Sequence, residues 1–167
     1  GAMRQALCWG LLALAWFGIV YPFQAPVGKP ISDFSGAEFL ANVFYKHFTV
    51  SLRDVIDARL MGADCVLLIA AALDVVELVD FHALAFEISL DVLVEIHDEA
   101  ELEHALEAHA TLIGVNQRDL VTFEVDHDRA IRMGGVIPDT AIKVAESGVR
   151  GAGDARRLEA AGYDAVL

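Results

Sequence analysis

Three polar residues end short apolar runs and could act together in one site. Glu95, Asn116 and Glu146 each lie at the end of such a run, and a loop and a helical pattern follow each of them. Repeated strand–loop–helix units predict parallel strands joined by crossover helices. In a barrel built from such units, side chains at the carboxyl ends of the strands meet in one place. Two carboxylates and an amide there would suit acid–base chemistry on a bound molecule.

Length and charge limit the class of protein. The chain has 167 residues and 56% are hydrophobic, which is enough for one packed domain. A complete eight-fold α/β barrel typically needs about 250 residues, so we expect an α/β fold of the (βα)₈ TIM-barrel type that is incomplete or distorted. The net charge of −13 argues against nucleic-acid binding, which relies on clustered Lys and Arg. Local cationic spots would still suffice for a small anionic substrate.

The amino-terminal part is divergent and allows two interpretations. Gly1 and Ala2 resemble the remnant of a cleaved expression tag, and residues 3–42 precede the regular pattern. Residues 6–20 are almost purely apolar, which is typical of a signal peptide, a membrane anchor, or a buried helix leading into a buried strand. We favour the buried interpretation over a membrane protein, because a membrane span needs about 20 apolar residues.

Periodicity and helix-breaking residues predict alternating elements along the rest of the chain. Ser51 is a good N-cap for one of the predicted helices. The cysteines, Cys8 and Cys65, have no metal-ligand spacing and predict buried reduced thiols. The predicted strands cover residues 17–23, 43–48, 65–70, 92–96, 112–115, 142–145 and 164–167, and the predicted helices cover 3–14, 34–42, 52–61, 74–85, 99–109, 126–133 and 153–161.

Several sequence runs in one order resemble the indole-3-glycerol phosphate synthase family of tryptophan biosynthesis. The runs include KHF at 46–48, ARLMGAD at 58–64, LLIAAAL at 67–73, LVEIH at 93–97, IGVNQRDL at 113–120 and AESGV at 145–149. The resemblance implies a (βα)₈ barrel in the cytoplasm that binds a small phosphorylated substrate. It implies a lyase that closes 1-(2-carboxyphenylamino)-1-deoxyribulose 5-phosphate to indole-3-glycerol phosphate, with loss of carbon dioxide and water. It implies no metal and no organic cofactor.

The resemblance gives catalytic roles to two residues. Lys46 matches the family's catalytic lysine, a general acid, and desolvation in an apolar barrel mouth would lower the pKa of such a lysine. Glu95 matches the family's acid–base glutamate. The alternatives are an ordinary surface lysine and a glutamate that stabilises a helix N-terminus.

Five further positions match residues that hold the substrate. Asn116 and Arg118 match substrate-binding positions, and Arg118 could pair with the anthranilate carboxylate. Glu146 and Ser147 match a pair that contacts the sugar-derived chain. Gly148 would let the backbone approach a phosphate near a helix N-terminus. The alternative interpretation of the run around Asn116 is a polar turn.

The sequence also departs from the family pattern. Pro22 and Gln24 stand where the family has a catalytic glutamate and a substrate-binding lysine, and His47 replaces the usual Asp after the catalytic lysine. Compared with the family pattern, we expect about one βα unit fewer between residues 34 and 43, and the sequence reaches residue 167 before the glycine-rich turn that follows the family's last strand. We therefore expect weakened catalysis. We also expect copies of the chain to associate through open sheet edges, as a homo-oligomer.

A group of histidines and glutamates allows a different chemistry. His97, His104 and His109 lie among four glutamates at helical spacing, a pattern that could bind zinc. A solvated helix face is the favoured interpretation, because charged residues normally line the exposed side of a helix. We expect no metal site.

Three functions therefore stay open. The first is a weakened synthase-type lyase, supported by Lys46, Glu95, Asn116, Glu146 and Ser147. The second is a non-catalytic or engineered barrel relative that keeps only the fold or ligand binding, supported by the departures. The third, a membrane-anchored or secreted binding domain, is supported by residues 6–20 alone.

Overall fold

The computed structural model describes residues 44–45 and 49–167. The predicted elements before residue 43 and the interpretations of residues 6–20, Pro22 and Gln24 lie outside the described residues. So do Cys8, Lys46 and His47. Among the helices that are described, none is long and apolar enough to cross a bilayer, and the longest has 13 residues.

Strands and helices alternate throughout the described part of the chain. The six strands described are β1 Phe44–Tyr45, β2 Cys65–Ile69, β3 Asp91–Ile96, β4 Leu112–Asn116, β5 Ile142–Glu146 and β6 Ala165–Val166. The five helices described are α1 Leu52–Leu60, α2 Val75–Glu87, α3 Glu99–Glu107, α4 Arg129–Gly134 and α5 Ala152–Ala160, and a 3₁₀ turn covers Ala70–Ala72. The elements predicted from residue 43 onward are all present. Both predicted ends of the first of them, residues 43 and 48, lie outside the described residues, and the ends of the others are shifted by up to three residues.

The strands form one parallel sheet in the order of the sequence. Each strand pairs with the next, from β1 to β6, and every pair is parallel. A sheet wound in one direction with a crossover after each strand is the arrangement of an α/β barrel. The predicted fold class is therefore confirmed for this part of the chain.

The two faces of the sheet carry different cores. Alternate strand residues such as Val94 and Ile96 pack with helix residues such as Leu78 and Leu102 in one large cluster. The opposite face, which we call the inner face, carries a smaller cluster of Cys65, Leu67, Ile69, Leu93, Leu112 and Val144. Because strand side chains alternate between faces, Glu95 shares the inner face with Leu93.

Side-chain caps fix where the helices begin. The Ser51 hydroxyl accepts a hydrogen bond from the Asp54 N–H, so the predicted N-cap of α1 is confirmed. Asp74 forms a capping box with Glu77 at α2, and Asp98 accepts from the Glu101 N–H at α3. These caps pair N–H groups that the first helical turn leaves without partners.

The start of α4 differs from the prediction, and the loop before it gives the reason. We predicted a helix from residue 126, but α4 begins at Arg129. The Asp126 N–H donates to the Gln117 carbonyl at 2.8 Å, and Arg118 forms an antiparallel bridge with Val125. These contacts hold residue 126 against the segment that leaves β4, so the helix starts three residues later.

Candidate functional site

Adjacent strands bring Glu95, Asn116 and Glu146 together on the inner face. Asn116 pairs in register with Glu146, and Glu95 pairs with Gly114, two residues before Asn116. The Asn116 Nδ2 donates to Glu95 Oε1 at 3.0 Å. The three side chains are almost fully buried, with exposures of 2% for Glu95, 6% for Asn116 and 0% for Glu146.

Gly114 gives the Glu146 carboxylate its space. A Cβ at residue 114 would overlap Glu146 Oε1 and would lie 3.2 Å from the Leu93 Cδ1. The glutamate therefore needs a residue without a side chain on the neighbouring strand. Our sequence analysis missed this role, although a glycine inside a strand often marks a close approach.

The Asn116 amide is held at both of its polar atoms. Its Oδ1 accepts from the Arg118 N–H at 2.9 Å, while its Nδ2 donates to Glu95. The Arg129 Nη1 donates to the Asn116 backbone carbonyl at 3.0 Å. Since only one orientation of the amide satisfies both side-chain bonds, the Nδ2 is directed at the carboxylate.

Gln117 joins the loops that follow β4 and β5, and sequence reasoning gave it no role of its own. Its exposure is 2%, its N–H donates to the Glu146 carbonyl at 3.0 Å, and its Nε2 donates to the Ser147 carbonyl at 2.7 Å. A polar residue buried directly after a strand was the available signal. Gln117 fixes the backbone that carries the second carboxylate.

Ser147 and Gly148 form a tight turn beside this cluster. Their φ angles are +62° and +74°, in the left-handed region that favours glycine. A Cβ at Gly148 would lie 2.7 Å from the Val125 Cγ1 and 3.3 Å from the His127 Nδ1. The turn therefore requires glycine at residue 148 on both conformational and steric grounds.

Arg118 lies slightly apart from the buried cluster. Its side chain is half-buried, and its Nη1 donates to the Phe123 carbonyl at 3.4 Å within the same loop. Lys46 follows β1 in the sequence but lies outside the described residues. The structure thus brings together Glu95, Asn116 and Glu146, with Ser147 and Gly148 next to them.

His97 lies at the end of β3, and its ring sits between two carboxylates. The Nδ1 is 3.1 Å from Glu101 Oε2, and the Nε2 is 3.7 Å from Glu95 Oε1. The interpretation of His97 as part of a solvated helix face is wrong, because the residue precedes α3 and its side chain is only 12% exposed. The interpretation as a solvated helix face is confirmed for His104 and His109, which are exposed.

Two opposing effects act on the His97 imidazole. Burial lowers the pKa of His97, while the hydrogen bond and charge of Glu101 and the charge of Glu95 raise it. The carboxylates prevail, so the pKa of His97 lies above its ordinary value. Within the described residues, no group of three or more His, Cys, Asp or Glu side chains is arranged to hold a metal ion.

A cavity opens beside this histidine at the carboxyl ends of the strands. It measures about 270 Å³ and is lined by Ala71, His97, Asp98, Glu101, Asp119, Leu120, Val121 and Arg129. Ala71 follows β2, His97 follows β3 and Leu120 follows β4, so three consecutive loops contribute. The cavity lies where barrel proteins place their sites.

Sequence comparison with known proteins decides the family. The model of the family "Indole-3-glycerol phosphate synthase" matches residues 35–167. The chain belongs to this family. It is 46% identical over 129 residues to the indole-3-glycerol phosphate synthase of Chlorobium chlorochromatii, covering 77% of this chain and 50% of that protein. It is 48% identical over 125 residues to indole-3-glycerol phosphate synthase 2 of Streptomyces coelicolor, covering 75% of this chain and 48% of that protein.

The match covers only part of each relative's sequence. The chain spans about half the length of the curated relatives that it matches. The matched region contains all seven residues that the resemblance singled out, from Lys46 to Gly148. The activity of the whole relatives therefore comes to this chain only as a proposal.

Solved structures support the fold class. The native KDPGal structure has a TM-score of 0.54 at 15% identity, covering 71% of this chain and 52% of that chain. A mandelate oxidase mutant has a TM-score of 0.61 at 16% identity, covering 83% and 52%. At such low identity the similarity extends to the fold alone.

Proposed function

We propose that this chain is a weakened indole-3-glycerol phosphate synthase-type lyase. Its substrate is then 1-(2-carboxyphenylamino)-1-deoxyribulose 5-phosphate, and its products are indole-3-glycerol phosphate, carbon dioxide and water. The observation that carries the proposal is the buried contact between Glu95 and Asn116 beside Glu146, at the strand ends of a chain in this family.

Glu95 is the acid–base residue of the proposed reaction. Ring closure needs an acid at the ketone while the ring carbon attacks, and expulsion of hydroxide as water needs a second proton transfer. Asn116 and His97 both approach Glu95 at Oε1, so Oε2 is the oxygen that neither of them contacts. We assign proton exchange with the substrate to Oε2.

Lys46 is the general acid of the proposal. It follows β1 directly in the sequence, and β1 pairs in parallel with β2. The carboxyl end of β1 belongs to the same edge of the sheet as those of β3 to β5. A lysine that directly follows this strand in the sequence has the chemistry required to protonate the ketone.

The remaining matched residues bind the substrate in the proposal. Glu146 accepts hydrogen bonds from hydroxyls of the sugar-derived chain, together with Ser147. Arg118 is half-buried and pairs with the anthranilate carboxylate, and Asn116 orients Glu95. Gly148 lies in a left-handed turn four residues before α5, a position from which backbone N–H groups contact a phosphate.

Turnover with an exposed-residue control tests the proposal. Formation of the indole product is followed by fluorescence for the unaltered chain and for Lys46→Ala, Glu95→Gln and Glu107→Gln. Glu107 is exposed at the end of α3, so its variant should match the unaltered chain. Loss of signal in the first two variants supports the lyase. No turnover by the folded, unaltered chain would instead favour a barrel relative without this chemistry.

A further inference from the structure

We propose that His97 is a positioning residue that shares one proton with Glu95 and is itself held by Glu101. The inference rests on the proposed function for the role of Glu95 as the acid–base group. It adds His97 as a second ionisable residue beside Glu95, and Glu101 as the residue that fixes the His97 ring. The family resemblance includes His97 in the run at 93–97 but gives no role to His97 or to Glu101.

Glu101 fixes the orientation of the imidazole. Its Oε2 accepts from the His97 backbone N–H at 2.7 Å and lies 3.1 Å from the ring Nδ1. The same oxygen therefore binds both the backbone and the side chain of one residue. Glu101 itself lies in the first turn of α3, where Asp98 caps the helix. A carboxylate can only accept, so the Nδ1 must carry a proton.

The fixed ring directs its other nitrogen at the acid–base glutamate. The Nε2 is buried, makes no hydrogen bond with the described residues, and lies 3.7 Å from Glu95 Oε1. That distance is an ion-pair contact rather than a hydrogen bond, and such contacts in free enzymes often shorten when substrate binds. A neutral imidazole with its proton on Nδ1 would direct a lone pair at an ionised oxygen.

One proton therefore belongs to the pair. Either the Nε2 carries it and Glu95 is ionised, or Glu95 carries it and donates to the neutral ring. The Asn116 Nδ2 donates to the same Oε1, which favours the ionised carboxylate. The resting state is then an imidazolium beside a carboxylate whose Oε2 accepts a proton from the substrate. In that transfer the bond between the proton and the substrate breaks, its electron pair stays on the substrate, and an O–H bond forms at Oε2, while the Nε2–H bond of His97 is unchanged.

The surrounding charges favour the imidazolium. Asp98, Glu101 and Asp119 line the same cavity as His97, and Glu95 lies beside the ring. Among the described residues that line the cavity, Arg129 is the cation that opposes these charges. The charges come from β3, α3, the loop after β4 and α4. The raised pKa of His97 agrees with an excess of carboxylates around it.

Titration of the histidine ring by NMR tests the coupling without any need for activity. The full chain is labelled in its histidines, and His97 is assigned by its loss in His97→Asn. We expect the His97 pKa to fall in Glu95→Gln and in Glu101→Gln, and to stay unchanged in Glu107→Gln. The exposed His104 should not respond to Glu95→Gln. A His97 pKa that ignores Glu95→Gln would overturn the proposal.

Turnover separates this inference from the proposed function. If the unaltered chain is active, His97→Asn should lower kcat by about tenfold or more with little change in KM, and should shift the pH profile of kcat. Glu101→Gln should do the same to a smaller extent. An active chain whose kcat and pH profile ignore both changes would overturn the positioning role. An inactive chain with intact NMR coupling would reject the proposed reaction while supporting the pairing of His97 with Glu95.

Discussion

Substitution of Gly114 by alanine tests whether the two adjacent strands share one buried volume. The new Cβ would overlap Glu146 Oε1 and would lie 3.0 Å from the Glu146 carboxyl carbon. The glutamate is 0% exposed, so its carboxylate would have to shift within the buried interior to make room. Overpacking of this kind costs about 1–3 kcal/mol of the free energy of unfolding.

Urea denaturation measures the size of the effect. With a slope of about 2 kcal/mol per molar urea, a loss of 2 kcal/mol lowers the midpoint by about 1 M. Gly153→Ala is the matched control, because residue 153 is exposed near the start of α5 and a Cβ there has no neighbour within 4 Å. We expect the control to leave stability unchanged or to raise it by up to about 1 kcal/mol.

A double variant gives the result that would refute the reasoning. Glu146→Asp withdraws the carboxylate by one methylene and makes room for the new Cβ. Gly114→Ala combined with Glu146→Asp should therefore lose less stability than the sum of the single variants. Strict additivity would show that the alanine acts elsewhere. If the chain is an active lyase, displacement of Glu146 by about 1 Å should also lower kcat/KM by up to about a hundred-fold.

Three further predictions concern ionisable groups. In Asn116→Asp a second carboxylate replaces the amide whose Nδ2 now lies 3.0 Å from Glu95 Oε1. We expect this variant to lose about 1–3 kcal/mol of the free energy of unfolding at pH 8, and less at pH 5, as measured by urea denaturation. The pKa of His97 is higher in the folded chain than its value near 6.5 in the unfolded chain, so protonated His97 stabilises the fold at pH values below 6.5. This stability is lost as the pH rises through the folded pKa. The difference in free energy of unfolding between the unaltered chain and His97→Asn should therefore shrink from pH 5 to pH 8. Burial raises the pKa of the Cys65 thiol. In a Cys8→Ser chain, a thiol reagent should therefore react with Cys65 only as fast as the protein unfolds. Rapid labelling of the native chain would contradict this.

The sequence predicted the elements well because apolar runs and caps are local signals. Continuous apolar strands such as β2 are typical of sheets covered on both faces. Ser51 marked a helix start that the structure confirms. The polar residue at each strand end then placed Glu95, Asn116 and Glu146 at one edge. Parallel strands in sequence order bring these three strand ends to the same edge of the sheet, whatever contacts the side chains make.

The contacts that shape the site were not predictable in the same way. Gln117 binds the Ser147 carbonyl 30 residues later, and Gly114 makes room for a carboxylate on the next strand. Such pairs depend on strand register, which a single sequence does not give. The spacing of four between His97 and Glu101 was visible, but it indicated one helix face rather than a strand end bonded to the helix that follows.

Contacts between described residues hold three side chains of the site in place. Glu95, Asn116 and Glu146 lie on three consecutive strands, and Gln117, Arg129 and Glu101 fix them through contacts within residues 91–147. The departures at Pro22 and Gln24 and the short stretch between residues 34 and 43 lie outside the described residues. The His97 titration needs no substrate, so it can be measured even where turnover is weak. Weak turnover with the His97 titration expected from its pairing with Glu95 would show that the loss of catalysis does not come from a disordered acid–base cluster.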